Sequence, residues 1–141
     1  MSIEIKHKNT GEVLYIHDGF VLAGADLSGV DLSDADLTGT DLSHANLSDA
    51  NLQGCRLRFA NLSSAILRDV NLRDADVSDA TLAGADLSGA DLSNADFSGA
   101  LLRHADLTLA AIQGLDLRGA NLDGADFSGA DPWDILMAVG L

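Results

Sequence analysis

The chain has 141 residues, enough for one domain, with 22 acidic against 8 basic residues and a net charge of −14. Such a charge excludes nucleic-acid binding through phosphate contacts and leaves basic proteins, or proteins that themselves bind nucleic acid, as the electrostatically allowed partners. One cysteine, Cys55, excludes an internal disulfide; the first residues lack the apolar stretch of a signal peptide, and no apolar run nears the ~20 residues of a membrane span, so a cytoplasmic protein is expected.

Residues 3–17 read as a β-hairpin. Ile3-Glu4-Ile5-Lys6-His7 and Glu12-Val13-Leu14-Tyr15-Ile16-His17 flank a Lys-Asn-Thr-Gly turn, and Gly11 suits the left-handed position of a short hairpin loop. The chain's only lysines, Lys6 and Lys8, lie here.

From Leu22 to Phe127 an apolar residue stands at every fifth position, in 22 unbroken blocks of which 20 are centred on Leu or Phe. Two places earlier stands a small residue, usually Ala, and between them Asp or Asn. A period of five matches neither a helix nor a plain strand. In Ala25-Asp26-Leu27-Ser28-Gly29, Ala25 and Leu27 share the inner face while Asp26 and Ser28 face out. Val30 faces inward again only if Gly29 also faces out, so the chain must bend there. Ser, Gly, Asp and Asn collect at these bends because they tolerate positive φ or bond their own backbone. Each block is therefore one short strand and one corner.

The run Ala-Asp-Leu-Ser-Gly, as in residues 85–99, resembles the signature of the pentapeptide-repeat family, and the resemblance spans residues 20–131. It implies an all-β fold: a right-handed, four-sided parallel β-helix with four blocks per coil and about 5.5 coils, roughly 26 Å long at ~4.8 Å per coil. The centre residues then form four apolar columns, buried by stacking of coil on coil. Cys55 occupies an Ala slot and is expected as a buried small hydrophobe. Leu115 is too large for its Ala slot and is expected to help close the bottom.

Open solenoid ends need caps. Residues 1–19 are expected as the upper cap, with Phe20 as a plug beneath the hairpin, residues 20–131 as the solenoid, and residues 132–141 as a lower cap. Asp131-Pro132-Trp133-Asp134 reads as a helix start, with Asp131 as N-cap and a helix to about Val139. Trp133, Leu136 and Met137 share a face. They are expected as a lid over Leu115, Leu117 and Leu122, or in addition as a homodimer contact, which resembles the C-terminal pairing of the family's quinolone-resistance members.

No catalytic constellation, metal site or cofactor site is expected, and the chain is read as a non-enzyme. His44 and His104 fall on equivalent corners three coils apart, about 14 Å, too far to share a metal. With four blocks per coil, Asp26, Asp86, Asp106 and Asp126 line one side and Asp36, Asp76, Asp96 and Asp116 another. A cationic belt of Arg56, Arg58, Arg68 and Arg73 with Phe59 interrupts them, either as charge balance or as an Arg-aromatic interface anchor. Leu101, Leu109 and Ala111 make an apolar break below it.

Two functions follow. One is a scaffold or protein-interaction module whose partner meets the belt and the apolar break. The other is a DNA mimic acting on a DNA-binding protein such as the type II topoisomerase gyrase, as the resemblance implies for some members. Residues 20–131 carry 18 Asp against 6 Arg. That is about 0.46 charges per Å, against about 0.59 for duplex DNA. Neither function involves direct nucleic-acid or membrane binding.

Overall fold

A computed structural model describes residues 1–141. Strands β1 (Ser2–His7) and β2 (Val13–Asp18) pair antiparallel, with an irregularity between Ile5 and Lys6. The turn closes where the Gly11 N–H donates to the His7 carbonyl at 3.0 Å, with Gly11 at φ 72°.

Below the hairpin the backbone climbs in coils of twenty residues. Parallel bridges join Asp26 to Asn46, Asn46 to Ile66, Ile66 to Asp86, Asp86 to Asp106 and Asp106 to Asp126, and three further columns repeat the pattern. The four columns are the four sides. The Leu27 N–H donates to the Asn46 carbonyl at 2.7 Å, and the Asn46 N–H to the Ala25 carbonyl at 2.9 Å. Each coil thus satisfies the backbone of the next, and no side needs a strand longer than a single rung.

Every corner is the same tight turn. The Ala25 N–H donates to the Leu22 carbonyl at 3.0 Å, and the residue before it, Gly24, takes a positive φ, the signature of a type II turn. At all 22 corners from Gly24 to Gly129 that third residue has φ between 55° and 89°. Eleven are glycine and eleven are not.

A second device fixes the corners. The Asp26 carboxylate accepts from the Ser28 N–H at 3.1 Å and from its hydroxyl at 2.7 Å. Asn46 and Asn61 accept from the Ser48 and Ser63 N–H groups at 3.0 Å. Where Asp or Asn fills the slot it serves as an acceptor rather than as a charge, the logic of an Asx turn, while Arg56, Ile66, Leu101 and Ala111 fill it without one.

Inside, the centre residues from Leu22 through Leu117 and the small residues before them form one buried cluster. A fully buried Leu contributes roughly 1.5–3 kcal/mol, so the stacked columns dominate the favourable side of folding. Cys55 is fully buried within this cluster, as an Ala-slot residue should be.

At the top, β1 pairs antiparallel with β3 (Ala35–Asp36), the uppermost rung of the fourth side, and the Lys8 N–H donates to the Asp34 carbonyl at 2.8 Å. Because β1 runs along that edge, its alternate residues Ile3 and Ile5 point into the open end. Ile5 is buried, and Ile3, Leu14 and Tyr15 pack beside it. Phe20 is not the plug expected: it is 79% exposed.

At the bottom, α1 (Pro132–Ala138) starts where the Asp131 carboxylate accepts from the Trp133 N–H at 2.8 Å. The Ala138 carbonyl accepts from the Leu117 N–H at 2.8 Å, replacing the rung of a missing coil. The inner face of α1 is Ala138, with Ile135 and Val139 beside it. Trp133, Leu136 and Met137 are exposed on the outer face, so the lid expected of them is made by their helical neighbours. The carbonyl of Ala138 has to reach the Leu117 rung, and that rotation of the helix turns the larger side chains outward.

Candidate partner surface

The acidic positions fall where the four-column register predicts. Asp86, Asp106 and Asp126 stack on the second side, and Asp76, Asp96 and Asp116 on the fourth. Asp26 and Asp36 stand on the first rungs of the same columns, separated from those runs by Asn46 and Ile66, and by Arg56.

Corner bonding tunes several of these carboxyls. Hydrogen bonds from the Ser28, Thr38 and Ser128 hydroxyls, then from the same residues' N–H groups, hold Asp26, Asp36 and Asp126 below the ordinary carboxylate value. The Arg118 side chain does the same for Asp116. At Asp86 partial burial pushes upward, but bonds from Ser88 and Arg68 outweigh it, and the net shift is downward.

The negative charge is banded along the axis. Residues 42–61 hold Asp49 against Arg56 and Arg58, a net of +1, and residues 102–121 hold Asp106 and Asp116 against Arg103 and Arg118, a net of zero. The average negative charge of the solenoid is therefore interrupted at the second and fifth coils.

The arginine belt divides into different jobs. Arg56 reaches upward, donating to the Lys8 carbonyl at 3.1 Å and to Asn9 Oδ1 at 3.4 Å, and so braces the hairpin turn. Arg68 pairs with Asp86, and Arg73 with Asp91 at 3.3 Å. Arg58 pairs with Asp79 at 3.4 Å and lies over the Phe59 ring at 4.8 Å, a cation–π contact. Of the belt residues expected to meet a partner, Arg58 and Phe59 remain together on the open surface, and Arg56 is drawn into the cap.

Phe59 and Leu109 are also where the backbone departs from its own rule. Nine of the eleven non-glycine corner residues are Asp, Asn, His or Ser. Phe59 (φ 62°) and Leu109 (φ 59°) are bulky and lie 59% and 72% exposed. A bulky side chain in left-handed backbone costs roughly 1–2 kcal/mol. Sequence reading found Phe59 by its neighbours and Leu109 by its hydrophobicity but missed the strain in both. The signal was their phase, since each stands where Gly or Asp normally sits.

His44 and His104 stand in one corner column three coils apart. A polar recess lined by Lys8, Ser33, Asp34, Asn51, Gln53 and Asp74 opens beside the hairpin. Lys8 occupies it, donating to the Gly54 carbonyl at 2.5 Å and standing 3.5 Å from Asp34.

Residues 19–54, 45–82, 71–108 and 102–131 match the family model described as Pentapeptide repeats. A crystal structure of a pentapeptide repeat protein, Rfr23, from the cyanobacterium Cyanothece 51142 is 33% identical over 76% of this chain and 83% of that one, with a TM-score of 0.63. A pentapeptide repeat protein from the Arabidopsis thaliana thylakoid lumen is 31% identical over 77% of this chain and 72% of that one, with a TM-score of 0.49. QnrB1, a plasmid-mediated fluoroquinolone resistance protein, is 23% identical over 80% and 81% of the two chains, with a TM-score of 0.33. No curated protein matches the chain.

Proposed function

Because the chain belongs to the pentapeptide-repeat family, we propose that it is a non-enzymatic scaffold that binds a protein partner through its exposed corners. The observation that carries this reading is the Arg58–Phe59 corner. A phenylalanine is kept in left-handed backbone, exposed and stacked under an arginine, where glycine would cost nothing. Strain of this kind persists where the surroundings enforce it and function uses it. Arginine and aromatic residues are also what interface hot spots favour. The outer face of α1, with Trp133, Leu136 and Met137, offers a second contact, for a further copy or another protein. We place this role in the cytoplasm, where a lone thiol stays reduced.

A second reading is a DNA mimic acting on a DNA-binding protein such as gyrase. The consecutive carboxylates Asp86, Asp106 and Asp126 on the second side and Asp76, Asp96 and Asp116 on the opposite, fourth side favour it. The charge breaks at the second and fifth coils, and the ion pairs at Asp86 and Asp116, weigh against it.

One comparison separates the two. Gyrase supercoiling is assayed with the protein and with a variant carrying Asp86→Asn, Asp106→Asn and Asp126→Asn. The scaffold reading expects no inhibition by either at micromolar protein, and a partner retained from cell lysate at high salt by the parent but not by Phe59→Gly. Inhibition by the parent that vanishes in the triple variant and at raised salt overturns it in favour of the mimic.

A further inference from the structure

The chain holds two Asp-Gly pairs, Asp18-Gly19 and Asp123-Gly124. Such a pair carries its own electrophile and nucleophile. The glycine nitrogen can reach the neighbouring side-chain carboxyl, because glycine has no β-carbon to block the approach. How firmly the linking peptide is held decides whether it does.

The two are held differently. At Asp18-Gly19 the Gly19 N–H donates to the Met1 carbonyl at 2.9 Å, so the nitrogen's proton is engaged where β1 and β2 close. Asp123-Gly124 lies at the foot of a corner column in which the peptides entering His44, Ser64, Gly84 and His104 are bonded at both ends. The Ala83 carbonyl, for instance, accepts from the Ser64 N–H at 2.9 Å, and the Gly84 N–H donates to the Arg103 carbonyl at 2.9 Å. The Asp123 carbonyl still accepts from the His104 N–H at 2.9 Å, but no coil lies below, and the Gly124 N–H donates to no group of the chain. Both residues are exposed. One hydrogen bond, where its predecessors have two, keeps this peptide from turning toward its own side chain.

We propose that Asp123 is a self-modification site, at which the folded chain converts aspartate to isoaspartate through a ring imide. The Gly124 nitrogen loses its proton to water and attacks Asp123 Cγ. The new C–N bond forms as a Cγ–O bond breaks, and that oxygen leaves as water. Water then adds to either carbonyl of the ring. Opening at Cγ restores aspartate, whereas opening at the main-chain carbonyl carbon routes the backbone through Cβ and Cγ and leaves a carboxylate on Cα. Nothing is oxidised or reduced, and the water lost is regained. The lengthened backbone falls at the corner that carries the chain on to Phe127 and α1, the elements that close the lower end. The site is independent of the partner surface above.

Prolonged incubation of the folded full chain at neutral pH in heavy-oxygen water tests it, because the closing hydrolysis leaves one heavy oxygen at the reacted aspartate whichever way the ring opens. After digestion in ordinary water, mass-spectrometric fragmentation locates the label. The folded chain is expected to gain label at Asp123, part of it in the isoaspartyl form, and none at Asp18. The chain held unfolded in urea is expected to label both, because the hydrogen bond that protects Gly19 is then gone. Asp123→Ser, a change at an exposed corner, is expected to remove the label. An Asp123 that stays unlabelled in the folded chain, an Asp18 that labels as fast as Asp123 there, label that persists in Asp123→Ser, or label at Asp123 with no isoaspartyl form overturns the proposal.

Discussion

The Asp79 carboxylate overhangs Gly99, one coil below, and fills the space a β-carbon on Gly99 would take. Gly39, in the same corner column, has nothing within 4 Å of that position, and the two backbones match, with φ 69° and 67°. Ala at either site meets the left-handed penalty, about 1 kcal/mol. At Gly99 it also forces Asp79 to swing away from Arg58. Gly99→Ala is expected to lower stability in urea by roughly 1 kcal/mol more than Gly39→Ala. Equal losses would mean that the overhang has no energetic weight.

Leu109 reverses this logic. Its side chain is mostly in solvent, so little packing is lost on removing it, while its backbone strain is relieved. Leu109→Gly is expected to raise the melting temperature, by the equivalent of about 1 kcal/mol. Natural scaffolds seldom gain from a glycine, so a fall in melting temperature would show that Leu109 is held by contacts worth more than the strain.

Leu92 lies fully buried mid-column on the third side. Leu92→Ala should cost roughly 2–5 kcal/mol. Leu92→Asp should abolish cooperative unfolding, because nothing near it can pair a buried charge. Circular dichroism melts distinguish the two, and a soluble Leu92→Asp chain with the parent's transition would contradict the register.

Cys55 gives a chemical clock for opening. Burial pushes its thiol up to about 12. The native chain should therefore resist a disulfide reagent at neutral pH and react only through unfolding. Labelling that accelerates in step with urea-induced unfolding is the expected result, and fast labelling without denaturant would contradict it.

Acidification should weaken the corners. Asp26, Asp36, Asp41 and Asp126 are held below the ordinary 3.8 by hydroxyl and then N–H donors, and Asp116 by Arg118. A carboxyl whose folded value is lowered contributes stability above its unfolded value and loses it as pH falls through the folded one. The melting temperature should hold from pH 7 to about 5 and drop below pH 4. A rise on acidification would mean that relief of repulsion within a chain of net charge −14 outweighs the corner bonds.

The columns and corners were readable from the sequence because period and chemistry agree: Leu, Ala and Gly or Asp each have one geometric task in a block of five. The ends were readable only in outline. Phe20 and Ile5 are both apolar near the top, and it is the pairing of β1 with Ala35–Asp36 that chooses Ile5 as the plug. The face of α1 was misassigned for the same reason, since the rung donated by Leu117 sets its rotation. Arg56 looked free because its partners, Lys8 and Asn9, are 48 and 47 residues away in sequence. Local periodicity cannot register a contact of that range.

Rungs pair at twenty-residue intervals, as Asp26 does with Asn46. Length can therefore change in this chain only in quanta. Duplicating twenty residues would add a coil and leave each outward row in its column. Gaining a single block of five would turn everything below it through a quarter revolution. Arg103 would leave the side of Asp41 and join the next, while each core residue kept an equivalent slot. A lineage of such chains can rearrange its surface wholesale by unequal recombination, with no substitution in its interior.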